Sequence, residues 1–431
     1  MTDGAARTLV EHARPDLAGR VVPHLTSRDP DQLWTSGQWM TERTGGSDVS
    51  RTETVARRDA GGVWRLWGTK WFTSAITSEV ALTLARPEGA PEGSAGLALF
   101  LVEQRSADGA RNGIRILRLK DKLGTRALPT AELALEGCVA APVGELERGV
   151  KKITPLLNIT RLHNAISACG MMARLLQLLR DYARRRVAFG SPLARKPLHR
   201  ETLAALQVEY EAALALTFDC ARLLGKTEAG EASADERATL RLLTPLCKLL
   251  TARQAVAVAS EALEGFGGAG YVEDTGLPVW LRDAQVLPIW EGTTNVLSLD
   301  TLRAVAREGV LEPWTAQATR RLEALAATPL AESARELRRR LEDVPRGLGA
   351  LAAAGPEVAE SAGRGIALTL AGLSAAVALA EQGAWALAHG RGERAAHAAG
   401  RWLRERVPEL PSVGEATARV APTALLSGLA D

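Results

Sequence analysis

The hydrophobic period of this chain turns to that of strands at about residue 38 and returns to that of helices after Pro142, and the second change restricts the fold more than any single motif. From about residue 38 to 145, apolar residues come in short runs bounded by turn formers. Thr52 to Arg57 and Val63 to Trp67 flank Asp59-Ala60-Gly61-Gly62, the composition of a hairpin turn. Further strands are expected at 95–103, 114–119 and 131–137, which together make a compact β domain. After Pro142 the period is that of helices. Residues 147–186 form one or two long helices, ended by Gly190-Ser191-Pro192. Pro197 suits the first turn of the next, which runs to about Lys226. A third covers roughly 234–264, with Pro245 expected to kink or break it, and a shorter one follows Glu291. Four antiparallel helices of this kind make a bundle. The expected fold is mainly α with a central β domain.

The two ends are read separately. Residues 1–37 hold one apolar-periodic stretch, Leu17 to Leu25, interrupted by prolines, and are expected to make at most one helix and part of another. The tail from 310 is helical, with breaks expected near Pro345, Gly347 to Gly355 and Pro408 to Pro411. The chain thus divides into 1–37, 38–145, 146–309 and 310–431. Its longest uncharged run, Gly365 to Ala380, is 16 residues, too short and too weakly apolar for a bilayer span, so a buried helix is expected and no membrane partner. A net charge of +3 does not by itself call for nucleic acid or a membrane surface. Four widely spaced cysteines without a Cys-x-x-Cys pair argue against a zinc site or disulfide framework, so no metal is expected. Acidic residues among the N-terminal arginines argue against a secretory signal, and a cytoplasmic location is expected.

The chemistry is concentrated in Trp290-Glu291-Gly292-Thr293-Thr294-Asn295, which follows the apolar run Val286 to Ile289. A carboxylate held against apolar surface has its charged form disfavoured, which moves it toward the range useful to a general base. The competing explanation is that Glu291 sits in the first turn of a helix and stabilises its positive end. Gly265, Gly267 and Gly270 match G-x-G-x-x-G, but a helix precedes them, whereas the dinucleotide fingerprint needs a strand. They more simply end a helix and let backbone approach a ligand closely.

Six further blocks occur in a fixed order: Met40-Thr41-Glu42-Arg43-Thr44-Gly45-Gly46-Ser47-Asp48-Val49, Gly68-Thr69-Lys70-Trp71-Phe72-Thr73-Ser74, Lys120-Asp121-Lys122-Leu123-Gly124-Thr125-Arg126, Arg186-Val187-Ala188-Phe189-Gly190, Glu264 to Tyr271, and Arg282-Asp283-Ala284. With Trp290-Glu291-Gly292 they resemble the acyl-CoA dehydrogenase flavoprotein family from about residue 38 to 308, and most of all its AidB-type, alkylation-response branch. The resemblance implies a β-barrel domain, a C-terminal four-helix bundle and a helical extension. It implies FAD as cofactor, an acyl-CoA substrate, an electron-transfer flavoprotein as acceptor, and a homodimer or homotetramer. Glu291 would be the base for α,β-desaturation. Met40, Thr41 and Ser47 would hold the flavin's polar edge and nearby groups, and Trp71, Phe72 and Thr73 would wall the isoalloxazine, with Thr73 as its polar handle. Arg186, with Phe189, would reach the pyrophosphate across a subunit boundary, where a guanidinium fork suits phosphate. Gly267 and Gly268 would meet the adenosine half, and Thr293 and Asn295 would complete the site.

Three departures from the pattern stand out. Arg200 and Glu264 occupy places where the family commonly has glutamine, and the second puts an anion near a phosphate-rich ligand. Only about 37 residues precede the Met-Thr-Glu block, so most of the family's N-terminal helical domain is expected to be missing, and with it one wall of the acyl pocket. AidB-type proteins also imply DNA binding through the tail. Residues 310–431, however, carry 14 arginines against 14 acidic residues, without the cationic excess of a phosphate-binding surface. Arg335, Arg338, Arg339 and Arg340 alternate with glutamates, as on a salt-bridged solvent face.

Overall fold

The computed structural model describes residues 1–106 and 108–420; residues 421–431, the end of the expected extension, lie outside the described residues. The chain forms two compact units, Met1–Thr160 and Arg161–Asp431.

The first unit opens with helices α1 (Thr2–His12) and α2 (Pro15–Leu25), two complete helices where the prolines had pointed to one and a part. Pro15 starts α2 where no N–H is needed, and Pro23 lies in its last turn. Leu17, Val21 and Leu25, four apart, give α2 its buried stripe. Seven strands follow: β1 (Ser36–Trp39), β2 (Val55–Arg58), β3 (Trp64–Ser74), β4 (Val80–Pro87), β5 (Ala98–Glu103), β6 (Ile114–Leu119) and β7 (Thr130–Pro142). The expected hairpin is present, with β2 antiparallel to β3. Pairings β4–β2, β2–β3, β3–β7, β7–β5 and β5–β4 close a five-stranded barrel, to which β1 and β6 add at β4 and β7. The run Val80-Ala81-Leu82-Thr83-Leu84-Ala85 escapes a period-two search because both faces of β4 are buried. Val80, Leu82 and Leu84 pack with the two N-terminal helices, while Ala81 and Ala85 pack inside the barrel with Trp39, Leu66 and Phe100.

The single turn α3 (Gly149–Lys152) and the first residues of α4 (Thr154–Arg185) belong to the first unit; the rest of α4 and the long helices α5 (Pro197–Glu228), α6 (Ala234–Gly265), α10 (Ala331–Ala353) and α11 (Pro356–Ala388) belong to the second. Shorter ones are α7 (Pro278–Ala284), α8 (Thr294–Arg307), α9 (Leu311–Glu323), α12 (Arg394–Glu405) and α13 (Val413–Val420). A short hairpin of β8 (Val187–Ala188) and β9 (Ser191–Pro192) joins α4 to α5. Ser233 and Glu236 form a capping box at the start of α6. Neither interior proline ends its helix: α6 runs through Pro245 and α10 through Pro345. Burial on both sides of α6, and of Leu341, Val344, Leu348 and Leu351 on α10, offsets the one hydrogen bond each proline removes. Of the breaks expected in the tail, those at Gly347 to Gly355 and Pro408 to Pro411 are met at 354–355 and 406–412, and further ones fall at 324–330 and 389–393. One apolar cluster runs from Leu216 and Leu246 to Leu370 and Trp402, so tail and bundle share a core. The helices α6 and α11 are long and apolar enough to cross a membrane by length and composition alone, but 83% of the qualifying stretch of each is buried inside the protein.

Candidate active site

Glu291 does not lie in a helix. The N-cap of α8 is Thr293, whose hydroxyl accepts from the Val296 N–H, so Glu291 precedes the N-cap by two residues and the first-turn explanation fails. Its backbone is left-handed, with φ 56° followed by φ 99° at Gly292. For a residue with a Cβ that conformation costs roughly 1–2 kcal/mol. Four of the five non-glycine residues with positive φ, Ala75, Thr125, Phe189 and Glu291, lie in or beside the blocks singled out above.

Buried polar contacts hold this strained turn. Trp290 donates its indole N–H to Asn164, whose amide reaches the Leu287 carbonyl at 3.4 Å. Arg161 donates to the Glu291 carbonyl at 3.4 Å and pairs with Asp300 at 3.0 Å. Asp300, mostly buried, also accepts from Arg241 and Arg303, each at 2.7 Å. Burial alone would raise its carboxyl; Arg241 and Arg161 override that and hold it below the usual range. Lys248 of α6 donates to the Gly292 carbonyl at 2.6 Å. Its side chain is wholly buried, and burial pushes the ammonium down to about 7, against the opposing pull of the Glu291 carboxylate.

Arg161, Asn164, Lys248 and Asp300 were not found by motif. The usable signal was Lys248 itself, a lone cation inside Leu246-Cys247-Lys248-Leu249-Leu250. Thr293 and Asn295 are exposed at the start of α8, with the Thr293 hydroxyl spent on its cap.

At the end of α4, Arg185 pairs with Asp181, as a helix-end cation should, while the exposed Arg186 guanidinium has no ion pair among the described residues. Phe189, at the tip of the β8–β9 hairpin with φ 49°, is 97% exposed. The glycine loop divides in two. A Cβ at Gly265 would crowd Leu179, and one at Gly270 would strike the Leu263 carbonyl, so these two serve the chain's own packing. Gly267 and Gly268 face open space. Arg200 and Glu264 are both exposed.

In the first unit, the Met40-Thr41-Glu42 and Lys70-Trp71-Phe72 segments are tied together twice. The Trp71 N–H donates to the Thr41 carbonyl at 2.9 Å, and the buried Lys70 ammonium meets the buried Glu42 carboxylate at 2.7 Å. Burial alone would raise the Glu42 carboxyl; Lys70, the Thr54 hydroxyl and the Glu53 N–H together leave it lowered. Gly46 is needed above Thr41, since a Cβ would come within 2.5 Å of the Thr41 hydroxyl, and Ser47 beyond it is exposed.

The expectation for Thr73 is corrected. Its hydroxyl is fully buried and donates to the Ala131 carbonyl at 2.6 Å, so it is no free handle. Alternation along β3, adjusted by a bulge between Lys70 and Thr73, leaves Phe72 exposed, while Ser74 is only half-buried and shares a hydrogen bond with Thr130. Trp71 is also engaged: Lys120 lies 3.5 Å from its ring centroid, with Arg43 and Arg118 at 5.3 and 5.9 Å. Of the expected aromatic wall, Phe72 is the residue that stands clear.

The middle-domain model of acyl-CoA dehydrogenases matches residues 37–138, and their C-terminal-domain model matches residues 147–306. The crystal structure of Caenorhabditis elegans ACDH-11 in complex with C11-CoA superposes with a TM-score of 0.94 at 41% identity, covering 100% of this chain and 75% of that one. This chain belongs to the acyl-CoA dehydrogenase family. It is 52% identical over 320 residues to acyl-CoA dehydrogenase family member 11 of C. elegans, across 72% of this chain and 52% of that protein. To the putative acyl-CoA dehydrogenase AidB of Escherichia coli it is 35% identical, across 68% of this chain and 52% of that protein. The AidB likeness expected from sequence is therefore present, but it is weaker than that to family member 11. The chain spans about half the length of the curated relatives it matches. Among the described residues there is no group of His, Cys, Asp and Glu placed to hold a metal, and all four cysteines are buried free thiols.

Proposed function

We propose that this acyl-CoA dehydrogenase family member is an FAD-dependent oxidoreductase that introduces an α,β double bond into an acyl-CoA thioester, with Glu291 as base. The observation that carries this is the Glu291–Gly292 turn, a carboxylate on left-handed backbone held from below by Arg161 and Lys248. Strain maintained by buried polar contacts is what a positioned catalytic group requires.

The residues present fit a flavin dinucleotide. Within the second unit, Arg186 offers an uncommitted guanidinium for pyrophosphate and Gly267 and Gly268 leave backbone open to close approach; within the first, Phe72 offers an aromatic surface. FAD, when bound, supplies the acceptor for the substrate's β-hydride. Glu291 receives the α-proton, and its backbone N–H is assigned the polarisation of the thioester oxygen, in the manner of an oxyanion hole. An acyl-CoA substrate is supported by the relative crystallised with C11-CoA. Phe189 and Tyr271, 97% and 89% exposed, support a homodimer or homotetramer in which these aromatics are covered, with an electron-transfer flavoprotein taking the electrons onward.

The DNA-binding alternative has less support. Arg339 pairs with Glu336 and Asp343, Arg338 lies 4.0 Å from Glu323, and Arg340 donates to the Val407 and Pro408 carbonyls. Most of that cationic cluster is engaged within the chain.

Anaerobic titration of the FAD-reconstituted protein with a panel of acyl-CoAs tests the proposal. One member should bleach the flavin's visible band, and Glu291→Gln should keep FAD bound yet abolish bleaching. Reduction of the Glu291→Gln variant at the wild-type rate would overturn the assignment.

A further inference from the structure

Lys248 is an expensive residue in the place it occupies. Its side chain is completely buried between α6 and the turn before α8, and no carboxylate lies within ion-pair distance of it among the described residues. Its hydrogen bond goes to a neutral acceptor, the Gly292 carbonyl. An apolar side chain of similar volume would fill the same space without the desolvation cost of an ammonium. The neighbouring cation differs: Arg161, which donates to the preceding carbonyl, has Asp300 as its own counter-charge. Two successive carbonyls of the left-handed turn thus each receive a cation, one neutralised locally and one not. Burial pushes the Lys248 ammonium down, the nearby Arg161 guanidinium adds to that, and the Glu291 carboxylate acts against both.

We propose that Lys248 is a positioning residue for Glu291: its donation to the Gly292 carbonyl locks the Glu291–Gly292 turn left-handed, and its charge favours the ionised, proton-accepting carboxylate. This rests on the assignment of Glu291 as base. Arg161 fixes one carbonyl and Lys248 the next, so the base is presented from a turn that cannot relax toward ordinary φ values. The arrangement is reciprocal by linkage: if Lys248 favours ionised Glu291, ionised Glu291 favours protonated Lys248 to the same extent.

The test has two independent readouts on the full-length, FAD-reconstituted protein. In the first, flavin reduction by the acyl-CoA that bleaches wild type is followed for Lys248→Met and Lys248→Arg. The expected result for Lys248→Met is a rate at saturation lower by about 10- to 100-fold, the loss of a charge-assisted contact, with substrate affinity little changed. Lys248→Arg, which keeps donor and charge, should recover part of that loss. A wild-type rate for Lys248→Met, or equal loss in both variants, overturns the proposal.

The second readout needs no turnover. The Lys248 side-chain resonance, assigned by its absence in Lys248→Met, should titrate near 7 in wild type and at lower pH in Glu291→Gln. An unchanged titration overturns the coupling even if every variant folds and binds FAD. Failure of the parent assignment looks different: Glu291→Gln would then reduce flavin normally, or no acyl-CoA would bleach wild type, whatever Lys248 does.

Discussion

Replacing Lys248 with Met should stabilise the protein at neutral and acidic pH while it damages the site. The buried ammonium ionises near 7 in the folded protein against 10.5 for an ordinary lysine, so folding must work against its protonation over that interval. At 1.36 kcal/mol for each tenfold step, the cost approaches ~5 kcal/mol. Because the folded value lies below the unfolded one, the cost is fully present below pH 7. It shrinks as pH rises from about 7 toward 10.5, and is absent above that. The methionine variant carries no such cost, but it leaves the Gly292 carbonyl without its donor, a loss of about 1–3 kcal/mol. The variant should therefore be more stable than wild type by roughly 2–4 kcal/mol at pH 6. The difference should cross zero as the pH is raised and reverse by pH 10.5. Urea unfolding followed by far-UV circular dichroism at constant ionic strength, in steps from pH 6 to 10.5, measures this directly. A stability difference that is flat with pH, or a wild type more stable at pH 6, would refute the view of Lys248 as a charge kept for function at the expense of stability.

Asp300→Asn should lower stability by about 3–5 kcal/mol, since Arg161, Arg241 and Arg303 lose their shared carboxylate in a mostly buried setting; the urea midpoint at pH 7 measures it. With its folded value below the ordinary 3.8, Asp300 in wild type contributes stability above that pH and loses it as pH falls through the folded value, so the gap between wild type and variant should close in acid. In the first unit, Lys70→Met leaves Glu42 buried without its cation and should cost about 3–5 kcal/mol by tryptophan fluorescence, with Glu42→Gln added to it restoring much of the loss. Gly270→Ala drives a Cβ into the Leu263 carbonyl and should lower the melting temperature, whereas Gly268→Ala, which meets nothing in this chain, should leave melting unchanged and weaken FAD binding.

Part of the architecture is legible from local pattern. The β2–β3 hairpin announces itself through Asp59-Ala60-Gly61-Gly62, because its turn chemistry is local, and α5 starts where Pro197 places it. The strand β4 is invisible to the same search because both its faces are buried, so its residues show no alternation. Sequence alone puts a kink or break at Pro245 and a break near Pro345, because a proline's cost is local, while the burial that keeps both helices continuous is not. The inward turn of Thr73 was not legible either, because a bulge between Lys70 and Thr73 resets the alternation and a bulge has no sequence signature of its own.

What the sequence by itself determined is the order of chemical blocks, the identity of Glu291 as the residue to watch, and the change from strand to helix period, all properties of neighbours along the chain. What only the tertiary structure decided is how Glu291 is held. Arg161, Lys248 and Asp300 stand 130, 43 and 9 residues from it in sequence, and fold closure brings the first two to the carbonyls of its turn and makes the third the counter-charge of Arg161. The left-handed backbone at Glu291 has the same origin: it is locally unfavourable, and it persists because buried cations from distant helices hold it.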